Sequence, residues 1–313
     1  MDQKFKNNKG DRAGCHGPKV TVAIAIHNGA GYLAEAMESV LSQTFTDFEI
    51  IAVDDGSSDN TLAILRRFAS EDGRVRVITR ENRGLVASLN ETLSHAAGEY
   101  YARMDADDIC VPERFEKQVA YLNENSAVVA VGAQVLLVDP VRRPMMKMPV
   151  PLQHDEIDAC HLSGSKHALT HPVVMMRLDV IRAVGGYSDD YRHAEDHDLW
   201  LRLAEVGELA NLPDVLLHYR QHGASVGYTK RMEQRRAQWL AARDAAARRG
   251  LPFELSEPKP MTATSDRVYE RWAWWALQGE NVKTARHYAV QSLLRRPFST
   301  QAWLLAACAV RGY

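Results

Sequence analysis

The chain has 313 residues, a formal net charge of −2, 25% charged residues and 46% hydrophobic residues, which is ordinary for a soluble globular protein of about two domains. No run approaches the ~18 apolar residues of a membrane span, and the balanced charge gives no global pull toward nucleic acid. Cys15, Cys110, Cys160 and Cys308 form no C-x-x-C pair, which argues against a zinc site or a disulfide framework.

Residues 1–18 are polar and rich in Gly, Lys and Asn without an apolar stretch, so they read as a disordered leader and not a secretion signal, and the chain is expected in the cytoplasm. Lys19 to Ile26 is a first strand and Ala34 to Leu41 carries a helical apolar pattern. The turn between them holds Gly29, Gly31 and Ala34 at G-x-G-x-x-A spacing, with Asp54 and Asp55 a little over 20 residues on. That spacing matches a dinucleotide-binding turn and makes an NAD(P)-dependent oxidoreductase the competing reading. Phe48 to Val53 is a second strand, ending in Asp54-Asp55-Gly56-Ser57-Ser58-Asp59 before a helix over 60–69; Ser58 or Asp59 suits the helix cap, while Asp54 and Asp55 suit a base N–H or a ribose hydroxyl. Val75 to Thr79 is a third strand. Arg83, at the entry of a helix over 85–97, stands where it would meet a phosphate or pair with Glu81.

The strand from Tyr100 ends in Asp105, Asp107 and Asp108, three carboxylates in four positions. Such crowding is costly unless a cation or hydrogen-bond donors neutralise it, so the turn reads as a site for a hard divalent metal, Mg²⁺ or Mn²⁺, or else as a solvated cap for the helix from Pro112. Strand and helix alternate at short spacing across 19–125, which predicts a doubly wound parallel sheet.

The succession His27-Asn28, Val53-Asp54-Asp55-Gly56-Ser57-Ser58-Asp59, Asn82-Arg83-Gly84 and Met104-Asp105-Ala106-Asp107-Asp108 resembles the nucleotide-sugar motifs of glycosyltransferase family 2. His27 departs from the family's more usual aromatic residue before the Asn. The resemblance, over 19–227, implies an α/β fold of GT-A type, a doubly wound, mostly parallel, Rossmann-like sheet; the residues beyond it read as a C-terminal helical extension, with two or three short helices from about Thr262 to Val310. It implies that Asn28, Asp54, Asp55 and Arg83 contact the nucleotide, with Asp55 preferred for the base or ribose. Asp105 would touch ribose or metal, Ala106 would lie beside it in the nucleotide-sugar site, and Asp107 would hold the metal bridging the diphosphate.

Farther along, Pro112 to Leu122 reads as a helix, Ala127 to Val138 as a long apolar strand, and Pro140 to Pro151 as a loop without periodicity. Pro172 to Arg177 reads as a buried strand behind His171, which either orients a phosphate or acceptor or simply packs; a short helix over 179–184 and a turn at Gly185-Gly186-Tyr187 come next. On a helix through 194–203, Asp196 shares a face with Leu199, Trp200 and Leu203, at a helix start whose dipole would keep it ionised. The Glu-Asp pair resembles the family's catalytic-base motif, making Asp196 the base and Glu195 a residue that positions the acceptor. Val215 to Tyr219 is a strand leading to Arg220-Gln221-His222-Gly223-Ala224-Ser225, similar to a family segment that closes the site; Arg220 or His222 would meet diphosphate or metal.

The catalytic domain is expected over 19–227, with a nucleotide-sugar half over 19–125 and an acceptor half over 126–227. The helical region over 228–313 begins with a helix from Lys230 to Arg249 that carries seven Lys/Arg against two Asp/Glu, suited either to anionic lipid or to a solvated face. The expected function is inverting transfer from a nucleoside-diphosphate sugar, with UDP as the expected nucleotide, to a glycan or lipid-linked acceptor in cell-surface or exported polysaccharide assembly, with peripheral contact at the inner face of the membrane and no nucleic-acid partner. A non-catalytic nucleotide-sugar-binding module is the remaining alternative.

Overall fold

The first apolar runs become β1 (Val20–Ile26), β2 (Phe48–Asp55), β3 (Val75–Arg80) and β4 (Tyr100–Met104) in the computed structural model. The structure describes residues 17–164, 168–223, 230–259 and 267–312, so nearly all of the expected leader, and Ala224 and Ser225 of the expected closing segment, lie outside the described residues. The four strands pair in parallel in the order β3-β2-β1-β4, connected through α1 (Leu33–Leu41), α2 (Thr61–Glu71) and α3 (Leu85–His95). Side chains alternate across the sheet: Val22 and Ile24 join α1 and α2 on one face, while Ala23 joins Val86 and Leu89 of α3 on the other. The winding reverses between β1 and β4, which opens a crevice beyond the carboxyl ends of the strands.

Beyond β4 the chain forms β5 (Ile109–Cys110), α4 (Arg114–Glu124), β6 (Val128–Val138), β7 (Pro144–Met148), α5 (His154–Leu162), β8 (Met175–Arg177), α6 (Leu178–Ala183), α7 (Glu195–Leu203) and β9 (Glu208–Arg220). The nine-stranded sheet continues β4-β8-β6-β9-β5, with β7 on the side of β6. Strand β8 is antiparallel to both neighbours and β5 to β9, whereas β6 and β9 run parallel from Val128 to Val138. Parallel pairing still accounts for most of the sheet.

Three expectations need correction. The loop expected over 140–151 contains β7, because Asp139 Oδ1 accepts the N–H groups of Val141 and Arg143 and Arg142 takes φ 69°, closing a hairpin that buries Met145. The strand expected over 215–219 begins at Glu208; Pro213, which reads as a break, falls where the register skips between Ala133 and Gln134, so its missing N–H costs no ladder bond. Residues 171–173 form a 3-10 turn ahead of β8, since Pro172 cannot donate to a ladder.

Among the described residues four helices follow: α8 (Arg231–Arg248), α9 (Val268–Gln278), α10 (Val282–Arg295) and α11 (Thr300–Arg311). Helix α8 lays Ala241, Ala242 and Ala245 against Leu201 of α7. Helices α9 and α10 pack on β7 and α11 packs against both of them, and Trp272, Tyr288 and Leu305 enter the same core as β1 and β6. Among the described residues no helix is long and apolar enough to cross a membrane.

Candidate active site

Strand register aligns the candidate residues. Ile26 stands opposite Asp54 on β2, and Ile24 opposite Met104 on β4, so the turns after all three strands share one edge. The turn after β1 is held from within: the N–H groups of Asn28, Gly29 and Ala30 donate to Ser57 Oγ, Thr61 Oγ1 and Asp59 Oδ2 at 2.9, 2.9 and 3.1 Å. The left-handed residue there is Asn28, φ 54°, and not a glycine. A dinucleotide turn would aim these N–H groups at a pyrophosphate; here they are already engaged, which removes the basis of the oxidoreductase alternative.

Asp54 and Asp55 are buried and organise the loops. Asp54 accepts from Ser57 N at 3.2 Å and Thr79 Oγ1 at 3.0 Å. Asp55 pairs with Arg80 and accepts from Arg83 N and Gly84 N at 2.9 and 2.8 Å. A carboxylate offers about four lone-pair directions, so Asp55, expected to ligate the base, retains one, on Oδ2. Asn28 Oδ1 accepts from Ser58 N at 2.8 Å, and Arg83 itself is exposed at the entry of α3. A Cβ on Gly29 would stand 3.6 Å from that of Ala106, so the turns after β1 and β4 abut.

In the acidic turn, Asp105, Asp107 and Asp108 bring one oxygen each to within 4.8 Å of one another. Asp108 is fully buried; its Oδ1 accepts from Arg220 N at 2.8 Å, and its Oδ2 has no partner. Burial, followed by the charges of Asp107 and Asp105, pushes the Asp108 carboxyl well above its ordinary range. Burial likewise raises Asp105, against the pull of the paired Arg103. Asp107 Oδ2 lies 2.7 Å from His222 Nε2, and the imidazole stacks on Tyr32 at 5.5 Å. Clustered hard oxygens, one of them buried and orphaned, together with an imidazole, fit a divalent cation such as Mg²⁺ or Mn²⁺.

Arg220, expected to meet a phosphate, is placed otherwise. Its guanidinium is buried, donates to Asp107 O and Pro140 O at 2.7 Å each, pairs with Glu35 and lies 4.6 Å from the Tyr32 ring centre. It clasps the acidic turn against α1.

Glu195 and Asp196 open α7 on the same crevice, close enough that the charges of Asp105 and Arg103 act on Asp196. Burial dominates at this helix start and lifts Asp196 to about 6, with the His197 N–H opposing, so the carboxyl is less acidic than usual yet still mostly ionised at neutral pH. Burial and the neighbouring Asp196 charge lift Glu195 to about 7. Asp198 turns away to Arg202, with contacts of 2.6 and 2.9 Å. His171 Nε2 lies 2.9 Å from Tyr187 Oη, and burial followed by the charge of Arg103 drives the imidazole well below its usual pKa, so it is neutral. Its ring stands edge-on to Trp200 at 5.8 Å.

Sequence alone assigns no separate role to Arg103, Glu35 or Asp108. Arg103 was legible in principle: a charge inside the apolar run Tyr100–Met104, two residues before Asp105 and hence on the same side. Glu35 gave no local signal, because its partner lies 185 residues away.

Compared with known proteins, residues 21–185 match Glycosyl transferase family 2. The putative glycosyltransferase EpsE of Bacillus subtilis is 38% identical over 214 residues, 66% of this chain and 74% of that protein. The amylovoran biosynthesis glycosyltransferase AmsE of Erwinia amylovora is 37% identical over 60% of this chain and 70% of its own length. Among solved structures, the mannosyltransferase PcManGT from Pyrobaculum calidifontis, in complex with GDP-Man and Mn²⁺, aligns over 95% of this chain and 81% of its own with TM-score 0.55 at 20% identity. S. aureus TarS in complex with UDP-GlcNAc aligns over 94% and 92% with TM-score 0.52 at 16% identity. At those identities the structures speak for the shared fold.

Proposed function

This chain belongs to glycosyl transferase family 2 and is a glycosyltransferase, and on that premise we infer that it transfers a sugar, with inversion, from a nucleoside-diphosphate sugar to an acceptor hydroxyl. The observation that carries the reading is the convergence of the acidic cluster of Asp105, Asp107 and Asp108 with Asp196 in one crevice at the carboxyl edge of the sheet. The relative named for amylovoran biosynthesis supports polysaccharide assembly as the setting.

In this reading Asp196 accepts the proton of the acceptor hydroxyl as its oxygen bonds to the anomeric carbon, while the bond from that carbon to the diphosphate oxygen breaks and leaves the nucleoside diphosphate. Inversion follows when no protein nucleophile intervenes. Glu195, lifted to about 7 and so partly protonated near neutral pH, is suited in its acid form to donate a hydrogen bond to the acceptor beside it. Asn28, Asp54, Asp55 and Arg83 form the nucleotide side with Asp105 and Ala106: Asp55 offers its remaining Oδ2 direction, and Arg83 together with the N-terminus of α3 offers positive charge to a phosphate. Asp107 and His222, with Asp108 and Asp105, would hold a divalent cation, which when bound supplies charge stabilisation for the departing diphosphate. His171 is left as a neutral packing residue against Tyr187 and Trp200.

Calorimetric titration with UDP, GDP, dTDP and NAD, each with and without Mn²⁺, tests this on the wild type and Asp107→Ala. One nucleoside diphosphate should bind with metal to the wild type, and the variant should lose that dependence. NAD binding indifferent to the substitution would sink the reading.

A further inference from the structure

The C-terminal helices α9, α10 and α11 leave a large apolar surface uncovered. Phe298 is 99% exposed, Leu304 61% and Trp303 58%. The free face of α11 carries Trp303, Leu304, Ala307 and Val310, while Ala302, Leu305 and Ala309 on its other side enter the core. Val290 and Leu294, four residues apart on α10 and followed by Phe298, are exposed as well. Scattered apolar residues need no explanation, but the α11 face and the Phe298 turn stand together, since Trp303 Nε1 donates to Pro297 O at 2.8 Å.

The surroundings of the patch are basic. Residues 267–312 carry seven Lys/Arg (Arg267, Arg271, Lys283, Arg286, Arg295, Arg296, Arg311) against two acids, Glu270 and Glu280. Glu270 takes Arg296 and Arg267, but Arg286 donates to the carbonyls of Ala309 and Val310, and Arg295 donates to Gln291 and lies over Tyr269, so their charge is not neutralised there. A groove of about 690 Å³ that reaches Leu304 is lined by Arg231, Arg267 and Arg271 against the single acid Glu270, together with Trp274 and Trp275. Helix α8, basic as its residues are, is the weaker candidate. Lys230 and, along the helix, Arg236, Arg243, Arg248 and Arg249 pair with carboxylates of this chain, and its alanine stripe is packed on α7.

We propose that α9, α10 and α11 form a peripheral docking surface for an anionic lipid bilayer, with Phe298, Trp303 and Leu304 entering the interface and the surrounding arginines meeting the headgroups. Tryptophan suits the boundary between headgroup and acyl chain, and basic residues near it add attraction to acidic lipid. A second copy of the chain is the poorer occupant, because two such faces would bring like charge together. The inference is independent of the sugar-transfer chemistry. It does constrain the domain, since Tyr288 of α10 bonds Asp139 at the end of β6 at 2.7 Å and Trp272 is buried in the main core, so docking would hold the catalytic body as well.

Sedimentation of the full-length protein with phosphatidylcholine vesicles, with and without phosphatidylglycerol, tests the assignment. Binding is expected only with phosphatidylglycerol and should weaken with added salt. Combined Phe298→Ala, Trp303→Ala and Leu304→Ala, all exposed and hence compatible with the fold, should weaken vesicle partition about tenfold or more while leaving Mn²⁺-dependent nucleotide binding unchanged. Arg295→Gln with Arg311→Gln should weaken it in the same direction. Equal binding to phosphatidylcholine alone, no binding to either vesicle, unchanged partition of the triple variant, or a dimer in solution that the triple variant dissolves would each overturn the proposal.

Discussion

At the residue scale the decisive quantity is the ionisation of Asp196. A base must be ionised to work, so kcat/KM should fall as pH drops through about 6, where burial has lifted this carboxyl; a profile flat from neutral pH down to about 4.5 would assign the base elsewhere. Asp196→Asn should keep donor affinity and lose turnover by about two to four orders of magnitude, measured by steady-state transfer beside calorimetry. Glu195 makes a thermodynamic prediction. Its folded pKa, about 7, stands above the ordinary glutamate value of 4.5, so the fold favours the neutral acid; that stabilisation is complete at low pH and fades as pH rises through about 7. Glu195→Gln should therefore melt a few degrees above the wild type near pH 8 and at nearly the same temperature near pH 4. The candidate carboxylates were legible because repelling charges at a strand end or a helix start are conspicuous in sequence. Their pKa directions were not, because desolvation by residues distant in the chain overrides the local helix dipole.

At the element scale, α7 is positioned by residues well outside its own span. Arg249, at the end of α8, donates to Leu201 O at 2.6 Å and pairs with both oxygens of Asp158 on α5 at 2.7 and 2.9 Å, and Tyr191 Oη meets Asp244 at 3.0 Å. Arg249→Ala should cost about 1–2 kcal/mol in urea unfolding, given its partial exposure, and should lower kcat more than nucleotide affinity. If kcat were untouched, α8 would be packing and nothing more. The turn after β9 is held more rigidly. Arg220 is buried with Glu35 and two carbonyls, so Arg220→Ala should cost about 3–5 kcal/mol by the same measurement and loosen metal-dependent binding. Neither clamp could be read from spacing, since each joins residues dozens of positions apart. The β7 hairpin escaped reading for a related reason: Pro144–Met148 has little intrinsic strand preference, and its pairing with β6 and cover by α9 make it a strand.

At the scale of the molecule, the helices beyond residue 267 share the main core instead of forming a separate appendage. Trp272→Ala should cost about 3–5 kcal/mol of global stability, and Tyr288→Phe about 1–2 kcal/mol because Asp139 would keep Arg143 but lose its phenol. Two separate unfolding transitions in either variant, with the catalytic part unaffected, would contradict a shared core. By itself the sequence determined the alternation of strands and helices, the acidic turn at Asp105, Asp107 and Asp108, and the family, because these rest on local periodicity and on side chains only a few positions apart. Tertiary structure decided that Arg220 is a clasp, that the glycine turn spends its N–H groups on Ser57, Thr61 and Asp59, and that the exposed apolar face lies on α11. Those outcomes depend on which residues desolvate one another across the fold, a property that no local window of sequence contains.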